Sequence, residues 1–137
     1  MASHRTDIQM RFGDTDALGH VNNARIASYV EVARLDFLNR LGTAVRSLIL
    51  ASLYIDFRRQ ILFGETIHAE TEVEKLGTSS MTLRQTIFAN GERAVDVKSV
   101  VVYFDYSARS ARSLTDEMRR LLTPFLVSSL NEDASRG

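Results

Sequence analysis

The chain has 137 residues, with 17 Lys plus Arg balanced by 17 Asp plus Glu, and no cysteine. That is the size of one domain, long enough to bury about two thirds of the surface its unfolded form exposes. Even charge without a like-sign block leaves no footprint for nucleic acid. The missing cysteine removes disulfides, thiolate zinc and a cysteine nucleophile, and no apolar run approaches the ~18 residues of a membrane span. These features point to one soluble, cytoplasmic domain over 1–137, with no membrane and no nucleic acid among its partners.

In chain order, Asp7 to Phe12 alternate loosely and stop at Gly13, which predicts a short first strand. Asn22 and Asn23 are good helix caps, and Ile26, Val30, Ala33, Phe37 and Leu41 then recur at helical spacing, closed by Gly42. Further apolar residues at Ala27, Val32, Leu35 and Leu38 spread around this helix and predict that it is enclosed on most sides.

Four strand-like runs follow. "SLILASLYIDF" is apolar, and "TIHAETEVEKL" alternates Ile67, Ala69, Thr71 and Val73 against a charged face. "SMTLRQTIFA" and "RAVDVKSVVVYFD" flank Asn90-Gly91, a pair that accepts the positive φ of a tight hairpin. Ser107 to Ser113 read as a basic connecting loop. Thr115 then caps a last helix through Leu122, which Pro124 ends or kinks, and a frayed polar tail starts at Ser128. The order β, α, β, β, β, β, α gives an α+β fold, a largely antiparallel sheet wrapped around one long central helix with a short C-terminal helix. The exposed outer face and edges of such a sheet favour self-association.

The stretch "GDTDALGHVNN", Gly13 to Asn23, carries the chemistry. Asp14, Asp16 and Gly19 match three positions of a helix-loop-helix calcium loop, but Leu18 and Arg25 stand where two further ligands are required. Asp14, Asp16 and His20 have no second His or Cys nearby in sequence, so no metal and no cofactor is assigned. Capping of amides by Asp16 and Asn22, with Gly19 turning the chain, explains the loop without chemistry. A carboxylate just ahead of a buried helix also suits acyl transfer. The free N–H groups of the first turn can stabilise an oxyanion while the carboxylate attacks the carbon or activates water, roles that Asp16 and the Asn23 amide could divide.

Three segments, "RFGDTDALGHVNNARIASYVEVAR", "FGETIHAETEVEKLGTSSM" and "VVYFD", carry a resemblance to the hotdog-fold acyl-CoA thioesterases related to hydroxybenzoyl-CoA thioesterase. It covers roughly Thr6 to Phe125, the expected core 6–125. The resemblance implies a hotdog fold, hydrolysis of an acyl-CoA to free acid and CoA, and a homodimer or dimer of dimers (homotetramer) whose partner subunit closes the pocket. It places the catalytic carboxylate on Asp16 and the carbonyl-polarising amide on the backbone of Asn23, and it gives Gly19 the role of letting the acyl group approach closely. Ile26 stands where many relatives carry Tyr, a difference that falls on the acyl pocket. From the residues themselves, His20 is a candidate either to contact substrate or to satisfy a local hydrogen bond, and Asn22 is a candidate substrate contact at the helix start.

Arg58 and Arg59, with Lys75 and the turn Thr78-Ser79-Ser80, are candidates to hold CoA phosphates, against the plainer role of a solvated edge. Glu31 and Arg34 read as an ion pair. Two other functions fit a hotdog chain: an acyl-thioester dehydratase, for which His20 and His68 are the available histidines, and a non-catalytic acyl-CoA-binding protein. The absence of a G-x-S-x-G elbow, P-loop or dinucleotide fingerprint weighs against serine hydrolases and nucleotide-dependent enzymes.

Overall fold

The computed structural model describes residues 2–127; the tail beginning at Ser128 lies outside the described residues. Strands β1 (His4–Ile8), β2 (Leu48–Phe57), β3 (Ile67–Leu76), β4 (Ser80–Ala89) and β5 (Glu92–Asp105) form an antiparallel sheet in the order β1-β3-β4-β5-β2. It curls around helix α1 (Asn23–Leu38), and helix α2 (Asp116–Leu122) packs at the far end, the hotdog arrangement.

The β3–β4 and β4–β5 pairings follow from side-chain alternation. Ile67, Ala69, Thr71 and Val73 face the helix on β3, as do Met81, Leu83, Gln85 and Ile87 on β4, while His68, Glu70 and Arg84 face outward. Asn90 (φ 51°) and Gly91 (φ 80°) make the tight β4–β5 turn, as their residue types require. Thr71, Gln85 and Ser99 form a buried polar strip between two apolar clusters, and Gln85 Nε2 donates to the Val30 carbonyl at 3.4 Å and to Thr71 Oγ1 at 3.2 Å, tying helix to sheet.

Four expectations change. The first strand lies at His4–Ile8 rather than Asp7 to Phe12, because Thr6 and Ile8 supply the inward positions opposite Ala69 and Ile67. Phe12–Asp14 instead make a single 3-10 turn closed by the Asp14 carboxylate accepting the Arg11 N–H. The long helix stops at Leu38 and continues as 3-10 turns over Asn39–Ser47, broken at Gly42 with φ 69°. Its outer side is open, with Val32 53% and Leu35 46% exposed in the single chain. Within the expected loop, Ser110–Ala111 form a two-residue strand β6 against Phe104 and Asp105. Among the described residues no helix is long and apolar enough to cross a membrane.

Candidate active site

The loop from Gly13 to Asn22 is built from its own polar residues. Asp16 accepts the Leu18 N–H at 2.9 Å and the His20 N–H at 3.1 Å, both on Oδ1, and its backbone closes onto His20 and Gly19. Gly19 sits at φ 81°, and a Cβ there would meet nothing within 4 Å, so the conformation rather than crowding by the protein calls for glycine. The loop is anchored on both flanks. Val21 N–H donates to the Ile61 carbonyl, Phe63 N–H to the Gly19 carbonyl, and Asn22 N–H to the Asp14 carbonyl, each between 2.8 and 3.0 Å.

Asn22 is the N-cap of α1, its side chain accepting the Ala24 N–H at 2.8 Å. The N–H groups of Arg25 and Ile26 both turn back to the Asn22 carbonyl. Of the first four helix amides, the one left without a partner among the described residues is that of Asn23. Asp16 Oδ2 likewise accepts no hydrogen bond among the described residues. Both residues line one cleft of about 610 Å³, together with His20, Val21, Asn22, Ile26, Phe57, Arg58, Arg59 and Gln60.

The cleft therefore gathers Asp16, His20, Asn22, Asn23, Ile26 and Arg59 from the sequence-derived set. Ile26 is buried at its floor, 1% exposed. Phe57 and Gln60 carry no signal in the sequence that singles them out. They arrive because the C-terminal end of β2 pairs with Val95 and the chain then folds back under the loop, a register that local patterning does not encode.

Arg59 borders the cleft with its guanidinium already engaged. It makes two hydrogen bonds to the Glu65 carboxylate, at 3.0 and 2.8 Å, and others to the carbonyls of Gln60 and Ala89. It holds the Glu65 carboxyl below the usual range and works as a strut for the segment from Arg59 to Glu65. Arg58 is the more exposed cation, sharing Asp96 with Arg93. Ser79 and Ser80 do not line this cleft. They form the β3–β4 turn at the opposite end of ten-residue strands, about 30 Å away along the sheet. Lys75 and Thr78 share that end. His68 lies on the outer sheet face, stacked on Phe88 at 4.8 Å and paired with Glu70.

Asp14 is buried and structural. It accepts hydrogen bonds from the Tyr29 hydroxyl at 2.6 Å and the Arg11 N–H at 3.0 Å, which outweigh burial and hold its carboxyl below the ordinary range. Asp36 is held low by the Thr6 hydroxyl and His4. In Asp96 the contacts with Arg93 and Arg58 overcome an opposing effect of burial. Depressed carboxylate pKa values stabilise the fold fully above the unfolded values and lose that contribution as pH falls through the folded ones. The melting temperature is expected to stay nearly level down to about pH 5 and to fall increasingly below about pH 4. A melting temperature that rises on acidification to pH 3 would contradict these assignments.

A metal reading does not gain from the geometry. The Asp14 carboxylate is turned to Tyr29, and among the described residues no three His, Asp or Glu side chains converge as a metal site.

The model of the thioesterase-like superfamily matches residues 10–122. The chain belongs to that superfamily. Over 126 residues it is 27% identical to the long-chain acyl-CoA thioesterase FadM of Escherichia coli K12, covering 86% of this chain and 96% of FadM. Among solved structures, a thioesterase of Thermus thermophilus complexed with coenzyme A and Zn superposes with a TM-score of 0.81 at 30% identity, over 88% of this chain and 92% of that one. A predicted thioesterase from Bacillus stearothermophilus superposes with a TM-score of 0.86, over 93% and 98%, and at 23% identity it speaks for the fold alone.

Proposed function

We propose that this superfamily member is a cytoplasmic acyl-CoA thioesterase that hydrolyses its substrate with the Asp16 carboxylate and the Asn23 backbone N–H. The observation that carries this reading is the shared cleft. Asp16, whose carboxylate has one oxygen fixed by loop amides and one uncommitted among the described residues, lines the same cleft as Asn23, whose N–H is the first helix amide and has no partner among them. The thioester carbonyl accepts from Asn23 N–H, where the helix terminus favours developing negative charge. Asp16 acts on the carbonyl carbon, either directly to form an anhydride or through a water it deprotonates. The leaving thiol has a pKa of about 8.5, like that of cysteine, so it departs without a strong acid beside it. Ile26, Val21 and Phe57 supply apolar walls for the acyl group, and His20, Asn22 and Gln60 the polar rim.

The site is proposed to be completed by a second copy. Among the described residues, strand β2 is an edge of ten residues whose outer side is unpaired, with Leu50, Leu53, Tyr54 and Phe57 exposed, a surface that pairing would cover. On α1 the buried Arg34 has an Nη1 without a partner among the described residues, and Glu31, its expected partner, is 3.9 Å away and largely exposed. Two-fold antiparallel pairing of β2 reverses the second sheet, so its Leu48 end, with Ser79 bonded to the adjoining Tyr103, stands beside the first chain's Phe57. In that arrangement the Ser79-Ser80 turn of the second copy reaches the CoA side of the cleft together with Arg58.

The test is thiol release from a panel of acyl-CoAs of different chain length and aromatic character, with calorimetry and sedimentation on the same preparation. Multiple turnovers by a species of twice the chain mass are expected. Tight binding without release would make the protein an acyl-CoA-binding module, and full activity as a monomer would remove the shared site.

A further inference from the structure

One buried pair beside the loop lies outside the cleft. Asp14 and Tyr29 are 9% and 5% exposed, and neither lines the 610 Å³ cleft; both border a separate cavity of about 380 Å³. Asp14 nevertheless ties the start of the loop to the helix end. Its N–H donates to the Arg11 carbonyl and its own carbonyl accepts the Asn22 N–H at 2.8 Å, one residue before the Asn23 amide. Its carboxylate reaches Tyr29, six residues beyond Asn23 on α1, at 2.6 Å. Arg25 stands 3.9 Å off and is more than half exposed, so the Tyr29 hydroxyl and the Arg11 N–H are the two close donors to this buried charge.

An unpaired buried carboxylate is costly, so the chain gains by keeping Asp14 against Tyr29. Two residues downstream, Asp16 takes its direction from the turn that closes between Thr15 and Val21, and the base of that turn is Asp14. Without the phenol, Asp14 would keep one close donor, the Arg11 N–H, and its side-chain link to the helix would be lost.

We propose that Tyr29 is a positioning residue for the reaction: its hydroxyl fixes Asp14, and Asp14 fixes the Asp16 carboxylate relative to the Asn23 amide. The inference rests on the reading of Asp16 above.

Tyr29→Phe keeps the ring and its packing and removes the hydroxyl. With rates expressed per folded molecule, checked by circular dichroism and thermal melting, kcat is expected to fall about tenfold or more while KM stays within about twofold. A merely structural hydroxyl would lower the melting temperature and leave kcat per folded molecule intact, and that result would overturn the proposal. The second readout is a double-mutant cycle. In the Asp16→Asn background, Tyr29→Phe should change the residual rate by less than about twofold, because it acts through Asp16. Losses that multiply would assign Tyr29 an independent role and also overturn it. Full activity of Asp16→Asn alone would remove the site and this inference with it, and that single variant identifies the cause.

Discussion

Asp16→Asn is expected to lower kcat by about 10³-fold with KM changed little, measured as thiol release at saturating acyl-CoA. The amide oxygen of asparagine can still accept the Leu18 and His20 N–H groups that Asp16 Oδ1 accepts, so the loop keeps its turn and the substitution isolates the charge. Asp16→Ala removes the acceptor as well. It should lose at least as much rate and in addition weaken the loop, which would appear as a rise in KM. The Asn23 amide remains in both variants, and the residual rate over water measures what carbonyl polarisation contributes alone. Unchanged turnover in both would end the role assigned to Asp16.

The largest stability effect is expected from Phe37→Ala. Phe37 is 1% exposed on the last turns of α1, edge-on to Phe125 with ring centroids 5.1 Å apart, and 5.7 Å from the His4 ring. It lies in the cluster that joins the helix to Val73, Leu83 and α2. Truncation leaves a cavity among side chains already at close packing and costs about 3–5 kcal/mol, a large part of the stability of a domain this size. The melting temperature should fall by about 15 °C. Phe37 is about 21 Å along the helix from Asn23, so kcat per folded molecule should be nearly unchanged. A melting temperature within about 3 °C of the parent would contradict the packing, and a loss of kcat comparable to that of Asp16→Asn would contradict the separation of core and site.

The sequence is legible where one local rule decides the conformation. The alternation of Ile67, Ala69, Thr71 and Val73 identifies a half-buried strand, Asn90-Gly91 accepts the positive φ of its turn, and Thr115 caps α2 by accepting the Met118 N–H at 3.1 Å. The Asp16 loop can be found for the same reason, since its Asx turn, Gly19 and N-cap are all encoded within eleven residues. What cannot be read depends on pairing between distant segments. Local alternation puts strand β1 three residues late because its inward pair, Thr6 and Ile8, is defined by Ala69 and Ile67 on β3. Phe57 and Gln60 reach the cleft through the β2–β5 register, and Ser79-Ser80 fall at the other end of the sheet although they follow the cleft residues closely in the chain. Arg58 and Arg59 look alike in sequence. The structure separates them, because Glu65 and two carbonyls take up the guanidinium of Arg59 and leave Arg58 the more exposed cation at the mouth. The open side of α1 at Val32 and Leu35 belongs to the same class, since enclosure of a helix depends on what else packs there.

The most direct test of the account is a single-turnover experiment in which excess enzyme is mixed with one acyl-CoA and the quenched mixture is resolved by mass. The wild-type chain is expected to convert the thioester completely to free acid and CoA, while Asp16→Asn binds it with similar affinity and leaves it intact on the same time scale. Conversion by Asp16→Asn at the wild-type rate, or an intact thioester remaining bound to the wild-type chain, would contradict the claim that the Asp16 carboxylate and the Asn23 amide, which line one cleft, form a thioesterase site.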